Sequence, residues 1–237
     1  MGKILELAES LKPAFAQEKI RNLEETGISW AQDFIVEEEW ENQVSVPVAQ
    51  IVGTQHQDYI GLTWLAFLHQ GKRMRANHQL FDHNPGYYLE DGMKMPVMSF
   101  IEMDGRFYVE ADGNHRSCIA KFYFASLGRE KLDGVCVRRY RIDYTGHKAF
   151  KLLQKELKSF PFVFAGKTRT IVEREDRTGW KKDRYRTQVW LRNNLTGQEL
   201  ALTPSEIQEV FQAIRGAGWR QRFFPRTPLE KILWGRR

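Results

Sequence analysis

Pro96-Val97-Met98-Ser99-Phe100-Ile101-Glu102-Met103-Asp104-Gly105-Arg106-Phe107-Tyr108-Val109-Glu110-Ala111-Asp112-Gly113-Asn114-His115-Arg116 is the stretch that decides how this chain folds. Residues 97–103 and 106–111 are β-rich runs, and Asp104-Gly105 between them is the two-residue signature of a type I′ hairpin. The second run passes directly into residues 112–116. A helix is expected next, because Ile119, Phe122, Tyr123, Ser126 and Leu127 share one face and Gly128 can stop it in a left-handed conformation. Residues 135–142 read as a further strand.

Upstream, Val44, Val46 and Val48 alternate with polar residues, and Ile51-Val52 carry the strand to Gly53. Ile60, Trp64, Phe67 and Leu68 recur at helical spacing. Residues 71–92 are polar, rich in His and Asn, and contain Pro85-Gly86. They read as a long loop or short helices, the kind of segment that commonly carries binding residues. Residues 1–43 form a helical lead-in interrupted at Pro13, ending in the acidic run Glu37-Glu38-Glu39-Trp40-Glu41, read as a solvated face. Beyond residue 144, a helix at 150–157, strands at 163–172 and 185–192 with a charged loop at 173–183, and a short strand at 199–202 are expected. Thr203-Pro204-Ser205-Glu206 then combines a capping box with proline at the first helical position, and Ile207, Val210, Phe211 and Ile214 give its helix an apolar face. The fold class is therefore α+β, divided as a lead-in (1–43), a central domain (44–143) and a basic C-terminal hairpin-plus-helix unit (144–237).

The net charge of +6 is unevenly spread: from Tyr144 onward there are 20 Lys/Arg against 9 Asp/Glu, leaving 16 against 21 before it. Such polarity can direct the basic half at a polyanion, either nucleic acid or an acidic protein. No run of 18 apolar residues occurs, so membrane insertion is not expected. Glu6 interrupts what would be the apolar stretch of a secretory leader and occupies the Ser/Thr position of a myristoylation start, so a cytoplasmic location is expected. Cys118 and Cys136 have no CxxC neighbours and read as small core thiols. The oligomeric state is not legible.

The chemistry centres on the turn. A strand delivers Asp112, Gly113 permits a sharp bend, and Asn114, His115, Arg116 and Ser117 open a helix whose unpaired amides and dipole favour an anion. Arg116 can grip a phosphate through parallel hydrogen bonds, and His115 can donate to it or move a proton. Phosphoester hydrolysis would need a carboxylate to orient magnesium or water. Asp112 is best placed, with Glu110 and the 37–41 cluster behind it. The plainer alternative is that Asp112 or Asn114 merely caps the helix.

The order of hairpin, motif, apolar helix, Gly128 and closing strand resembles the core of the ParB/sulfiredoxin superfamily over about 100 residues. The resemblance implies a ParB/sulfiredoxin-like core and a nucleotide, ATP or another, with its phosphates at Gly113, Asn114, His115, Arg116 and Ser117. By position Gly113, His115 and Arg116 match the sulfiredoxin glycine, histidine and arginine, whereas Asn114 stands at the sulfiredoxin cysteine. Without that thiol, and with Cys118 a full turn on, the chain is not a sulfiredoxin. The stand-alone architecture is closer to ParB-like nucleases, including plasmid fertility-inhibition proteins of the Osa and FiwA type. It implies ATPase or DNase activity with Asp112, His115 and Arg116 as catalytic candidates. The alternative it leaves is a non-catalytic inhibitor docking on an acidic partner such as a conjugation coupling protein. A free amino-acid kinase fits less well, since Asn114-His115 replaces that group's His-Thr.

Two further sets of residues are candidates. Lys181, Lys182, Arg184, Arg186, Trp190 and Arg192 interleave charge and aromatic character on one expected hairpin, and Arg220 and Arg222 repeat the theme, as a surface for DNA would. Alternation sets Trp190 with Arg186 and Arg192, opposite Val189 and Leu191. His78, Asp82 and His83, and His56 with Asp58, fit no strong metal spacing and read as polar loop residues.

Overall fold

The computed structural model describes residues 2–216, 218 and 226–235, in two compact units of mixed helix and strand. Unit 1 is Met1–Ser29, Glu38–Arg141 and Glu175–Lys182; unit 2 is Trp30–Glu37, Ile142–Arg174 and Asp183–Arg237. The division drawn from the sequence at 143/144 falls beside one of these breaks, and most of the lead-in belongs to unit 1. Among the described residues no helix is long and apolar enough to cross a membrane.

In unit 1 the strands β1 (Arg21–Asn22), β2 (Ile35–Pro47), β3 (Ile51–Thr54), β4 (Ser99–Met103), β5 (Arg106–Val109) and β6 (Lys131–Ile142) lie in the order β1-β3-β5-β4-β6-β2. The β4–β5 hairpin forms as its turn chemistry requires, with φ of 51° at Asp104 and 76° at Gly105 and pairs from Phe100↔Val109 to Met103↔Arg106. β3 runs parallel to β5, and β6 parallel to β4. Four helices complete the unit: α1 (Lys3–Leu11), α2 (Trp64–Gln70), α3 (Met74–His83) and α4 (Asn114–Leu127), the last stopped by Gly128 at φ 63°.

Three expectations change here. Arg21 and Asn22 form a strand and not a helix, because they pair with Gly53 and Thr54 of β3, and Leu23 opens a 3-10 helix, Leu23–Thr26. The expected single strand from Val44 to Gly53 is split by a 3-10 corner, Val48–Gln50. α4 has no simple apolar face: Ser117, Cys118, Ile119, Ala120, Lys121, Phe122 and Phe124 are all buried while Leu127 is exposed. It packs against α1, α2 and α3 at once, and a helix covered on nearly every side loses its amphipathic pattern. Both cysteines are free and buried, and burial pushes each thiol's pKa up.

The acidic run at 37–41 is not a bare solvated face. It is part of β2, where Glu39 and Glu41 meet Arg139 at 2.9 and 2.8 Å, and Glu38 lies 3.9 Å from Arg138. Opposite charges on strands stabilise the pairing modestly each, and a network does so more than isolated pairs.

Unit 2 contains α5 (Tyr144–Glu156), β7 (Val163–Arg177), β8 (Trp180–Asn193), β9 (Glu199–Leu202), α6 (Ile207–Gly216) and α7 (Pro228–Trp234), with strand order β7-β8-β9. β2, β6, β7 and β8 supply residues to both units. Its core is Phe34, Phe150, Leu153, Val189, Leu191, Ile207, Val210 and Ile232 among others. The capping box at Thr203 and Glu206 is present as expected, on a 3-10 turn that leads into α6. The expected charged loop at 173–183 is instead strand on both sides of a turn at 178–179. Arg174 and Asp183 meet at 2.6 Å, and Arg184 pairs with Glu173, so charge holds the hairpin where apolar alternation is missing.

Candidate functional site

The turn between β5 and α4 is built as the sequence suggests. Gly113 has φ 114°, a conformation that disfavours any side chain, and a Cβ there would also press on Met98. The Ser99 amide donates to the Asp112 carbonyl at 3.2 Å, and the Ser117 amide donates to the Gly113 carbonyl at 2.7 Å, fixing the helix start. Beside it lies a cavity of about 510 Å3. Asp112, Asn114, His115 and Arg116 line it. So do His56, Asp58 and Tyr59 from the segment after β3, Lys72 and Arg73 from the α2–α3 connection, and Asn77 from α3.

Arg116 is not free to grip a ligand in the expected way. One terminal nitrogen donates to the Tyr87 hydroxyl at 2.6 Å and to the Pro96 carbonyl; the other donates to the Val97 carbonyl at 3.0 Å and meets Asp112 at 3.0 Å. A guanidinium carries five N–H groups, so only the one at Nε has no assigned partner. Asp112 is likewise engaged, accepting the Gly113 amide at 2.7 Å. Ser117 is fully buried, lies outside the cavity lining, and among the described residues its Oγ has no hydrogen-bond partner.

His115 is held by three contacts: its ring lies against Tyr59 and Phe67, and Nε2 donates to the Lys72 carbonyl at 2.5 Å. A carbonyl only accepts, so the neutral ring carries its proton on Nε2 and keeps a lone pair on Nδ1. Burial, more than any other influence, holds its pKa below the ordinary histidine value. The same contact pins the α2–α3 connection to the motif. Lys72 and Arg73 thus have fixed backbones (Arg73 at φ 65°, its carbonyl accepting from Asn77) while their side chains are exposed and, among the described residues, have no ion pair.

These two cations were not singled out by sequence reasoning. The only signal was their place at the head of the polar stretch 71–92. His56 and Asp58, read as ordinary loop residues, also reach the cavity. His78 and Asp82 do not: His78 is buried with Nε2 unpartnered, and Asp82 accepts the Lys3 amide at 3.1 Å. Glu110 lies 3.6 Å from Arg138.

The basic hairpin is partly neutralised. Lys182 lies 3.5 Å from Glu39, Arg184 is 3.5 Å from Glu37, and Lys181 is half-buried. The alternation on β8 holds, with Val189 and Leu191 buried and Arg186 and Arg192 exposed. The Trp190 ring, however, lies so close over Gly166 that no Cβ would fit there. It packs on its own sheet. Arg220 and Arg222 lie outside the described residues.

A pH dependence follows from the buried imidazoles. His78, His115 and His147 all have pKa values lowered from 6.5, in each case chiefly by burial. In the window below 6.5 the unfolded chain binds protons that the folded chain resists, so stability is complete above it and is lost as pH falls. The melting temperature should drop between pH 7.5 and 5.5. A flat profile over about those values would contradict the assignment.

Compared with known proteins, the chain matches no family model, no curated protein and no solved structure.

Proposed function

We propose that unit 1 binds the phosphates of a nucleotide, ATP or another, in the cavity ahead of α4, within a ParB/sulfiredoxin-like fold. The observation that carries this reading is the pair Lys72 and Arg73, two cations without ion pairs that line the same cavity as the first turn of a 14-residue helix. Cations and helix amides together suit a phosphate, and the cavity size suits a nucleotide. Arg116 then acts as a strut that shapes the site, and His115 offers Nδ1 as a proton acceptor. Among the described residues no three His, Cys, Asp or Glu side chains gather as a metal site. Magnesium would enter with the nucleotide, held by its phosphates and by Asp58 or Asp112.

The test is equilibrium binding of labelled ATP and CTP to the wild type and to Lys72→Ala/Arg73→Ala. The double variant should lose roughly 10- to 100-fold in affinity, about one strong charge-assisted contact or two, with an unchanged melting temperature. Equal affinity would remove the assignment.

One observation favours a second reading, binding without hydrolysis. Asp112, the carboxylate expected to orient a metal or water, is already held by the Gly113 amide and Arg116. The protein would then be a nucleotide-dependent inhibitor of a DNA-transfer component and not an ATPase or nuclease. Steady phosphate release above background in the presence of magnesium, abolished in His115→Ala, would rule it out.

A further inference from the structure

We propose that α5 and Trp30, both in unit 2, form a binding surface for single-stranded nucleic acid, with lysines on the phosphates and the indole under a base. The inference stands independently of the nucleotide reading. α5 is anchored by Asp143, whose carboxylate accepts the Gly146 amide at 2.8 Å, and it buries Ala149, Phe150 and Leu153. The arc left in solvent carries Lys148, Lys151 and Lys155, with Lys158 following in the 3-10 turn at Leu157–Ser159. Steps of three and four residues place these lysines along one line, about 10 Å from the first to the third at 1.5 Å per residue.

Among the described residues none of the four has an ion pair, whereas Lys167 of the same unit meets Asp33 at 2.8 Å and Arg174 meets Asp183 at 2.6 Å. The one carboxylate of α5, Glu156, is half-buried. Like charges three and four apart destabilise a helix. The stripe therefore works against folding, and a polyanion relieves that repulsion.

The choice among polyanions rests on Trp30. It is 51% exposed, although large apolar side chains normally bury, and its ring lies 4.5 Å from that of His147 at a tilt of 40°, one turn before Lys151 on α5. The His147 ring is in turn backed by Phe34 at 5.4 Å, so the indole rests on a firm aromatic support. Lysines alone would suit an acidic protein or a duplex equally well. An exposed, supported ring beside them matches unpaired bases, which present a face that duplex bases conceal.

The experiment is fluorescence anisotropy of a labelled mixed-sequence single strand of roughly 20 nucleotides, within the size range such surfaces cover, titrated with the full chain at several salt concentrations. Lys148→Gln/Lys151→Gln/Lys155→Gln should weaken binding at least about tenfold and reduce the log–log salt slope by about 2, three contacts at 0.7 each. Trp30→Ala should weaken single-strand binding by about fivefold or more, and Trp30→Tyr should recover much of it. The proposal fails if the lysine variant keeps the wild-type affinity and slope, or if a duplex of the same sequence binds more tightly than the single strand. Equal affinity for poly-glutamate would also overturn it and mark the face as a dock for an acidic protein.

Discussion

Lys121→Ala is expected to lower the stability of the protein by about 3–5 kcal/mol, the range for emptying a core position and stranding buried polar groups. Lys121 is 2% exposed, yet it carries no carboxylate partner within hydrogen-bonding distance. Its Nζ instead donates to the carbonyls of Val48 and Ile51 at 2.8 and 2.9 Å, the two ends of the corner between β2 and β3. It also lies over the rings of Phe15 at 4.8 Å and Trp64 at 5.0 Å. One ammonium thus ties the central helix to the sheet corner and to two helical segments, in a site dry enough for the cation–π contacts to matter. Lys121→Met, which keeps the volume but loses both donors, should cost less, about 1–3 kcal/mol. Urea denaturation of the three proteins checks the order. A methionine variant as stable as wild type would mean the carbonyls find other partners.

A pH signature accompanies this. Burial, before any other influence, draws the Lys121 pKa from 10.5 down to about 8. Between pH 8 and 10.5 the unfolded chain still holds a Lys121 proton that the folded chain has released, so the stability difference between the wild type and Lys121→Met should move in favour of the wild type across that window. Lys94, lowered by burial, and the thiols of Cys118 and Cys136, raised by it, titrate in both proteins and drop out of that difference. Tyrosines whose pKa values burial raises above 10.0, Tyr88 most strongly, drop out in the same way.

Arg116→Ala is expected to cost about 2–4 kcal/mol, as several hydrogen bonds from one largely buried guanidinium are lost at about 1 kcal/mol each. The guanidinium gathers the Tyr87 hydroxyl, the carbonyls of Pro96 and Val97 and the Asp112 carboxylate, and it is 13% exposed. Without it the segment entering β4 is no longer bound to the helix start, and the carbonyls of Pro96 and Val97 lose their donor. Arg116→Lys should recover less than half of the loss, because an ammonium cannot reach partners spread around a planar fork. Chemical denaturation with nucleotide titration separates the two roles of this residue. A strut loses stability first, in contrast to Lys72→Ala/Arg73→Ala, which should lose affinity alone. If Arg116→Ala melts like the wild type but no longer binds nucleotide, the guanidinium is a ligand contact after all.

Local signals were dependable where local physics decides. The Asp104-Gly105 hairpin, the Gly113 bend, the Gly128 stop and the Thr203/Glu206 capping box rest on backbone conformation and hydrogen bonds within a few residues, and each has the form its residues demand. The strand alternation around Trp190 was legible for the same reason. Long charged strands were harder to read. Residues 35–43 and 173–183 lack alternating apolar residues, and only their partners, Arg138 and Arg139 for the first and the opposing arm of the hairpin for the second, make them strand.

By itself the sequence determined the mixed helix-and-strand class, the motif turn and its opening onto a helix. It also determined the buried, unpaired state of both cysteines. Only the tertiary structure decided which cations stay available. Arg116, adjacent to the motif, is consumed by carbonyls that are neighbours in space, while Lys72 and Arg73, some 40 residues earlier, reach the cavity with their charges unpaired. Charge–charge and charge–carbonyl contacts form between segments far apart in the chain, so no local pattern records which side chain will be satisfied and which will face a ligand.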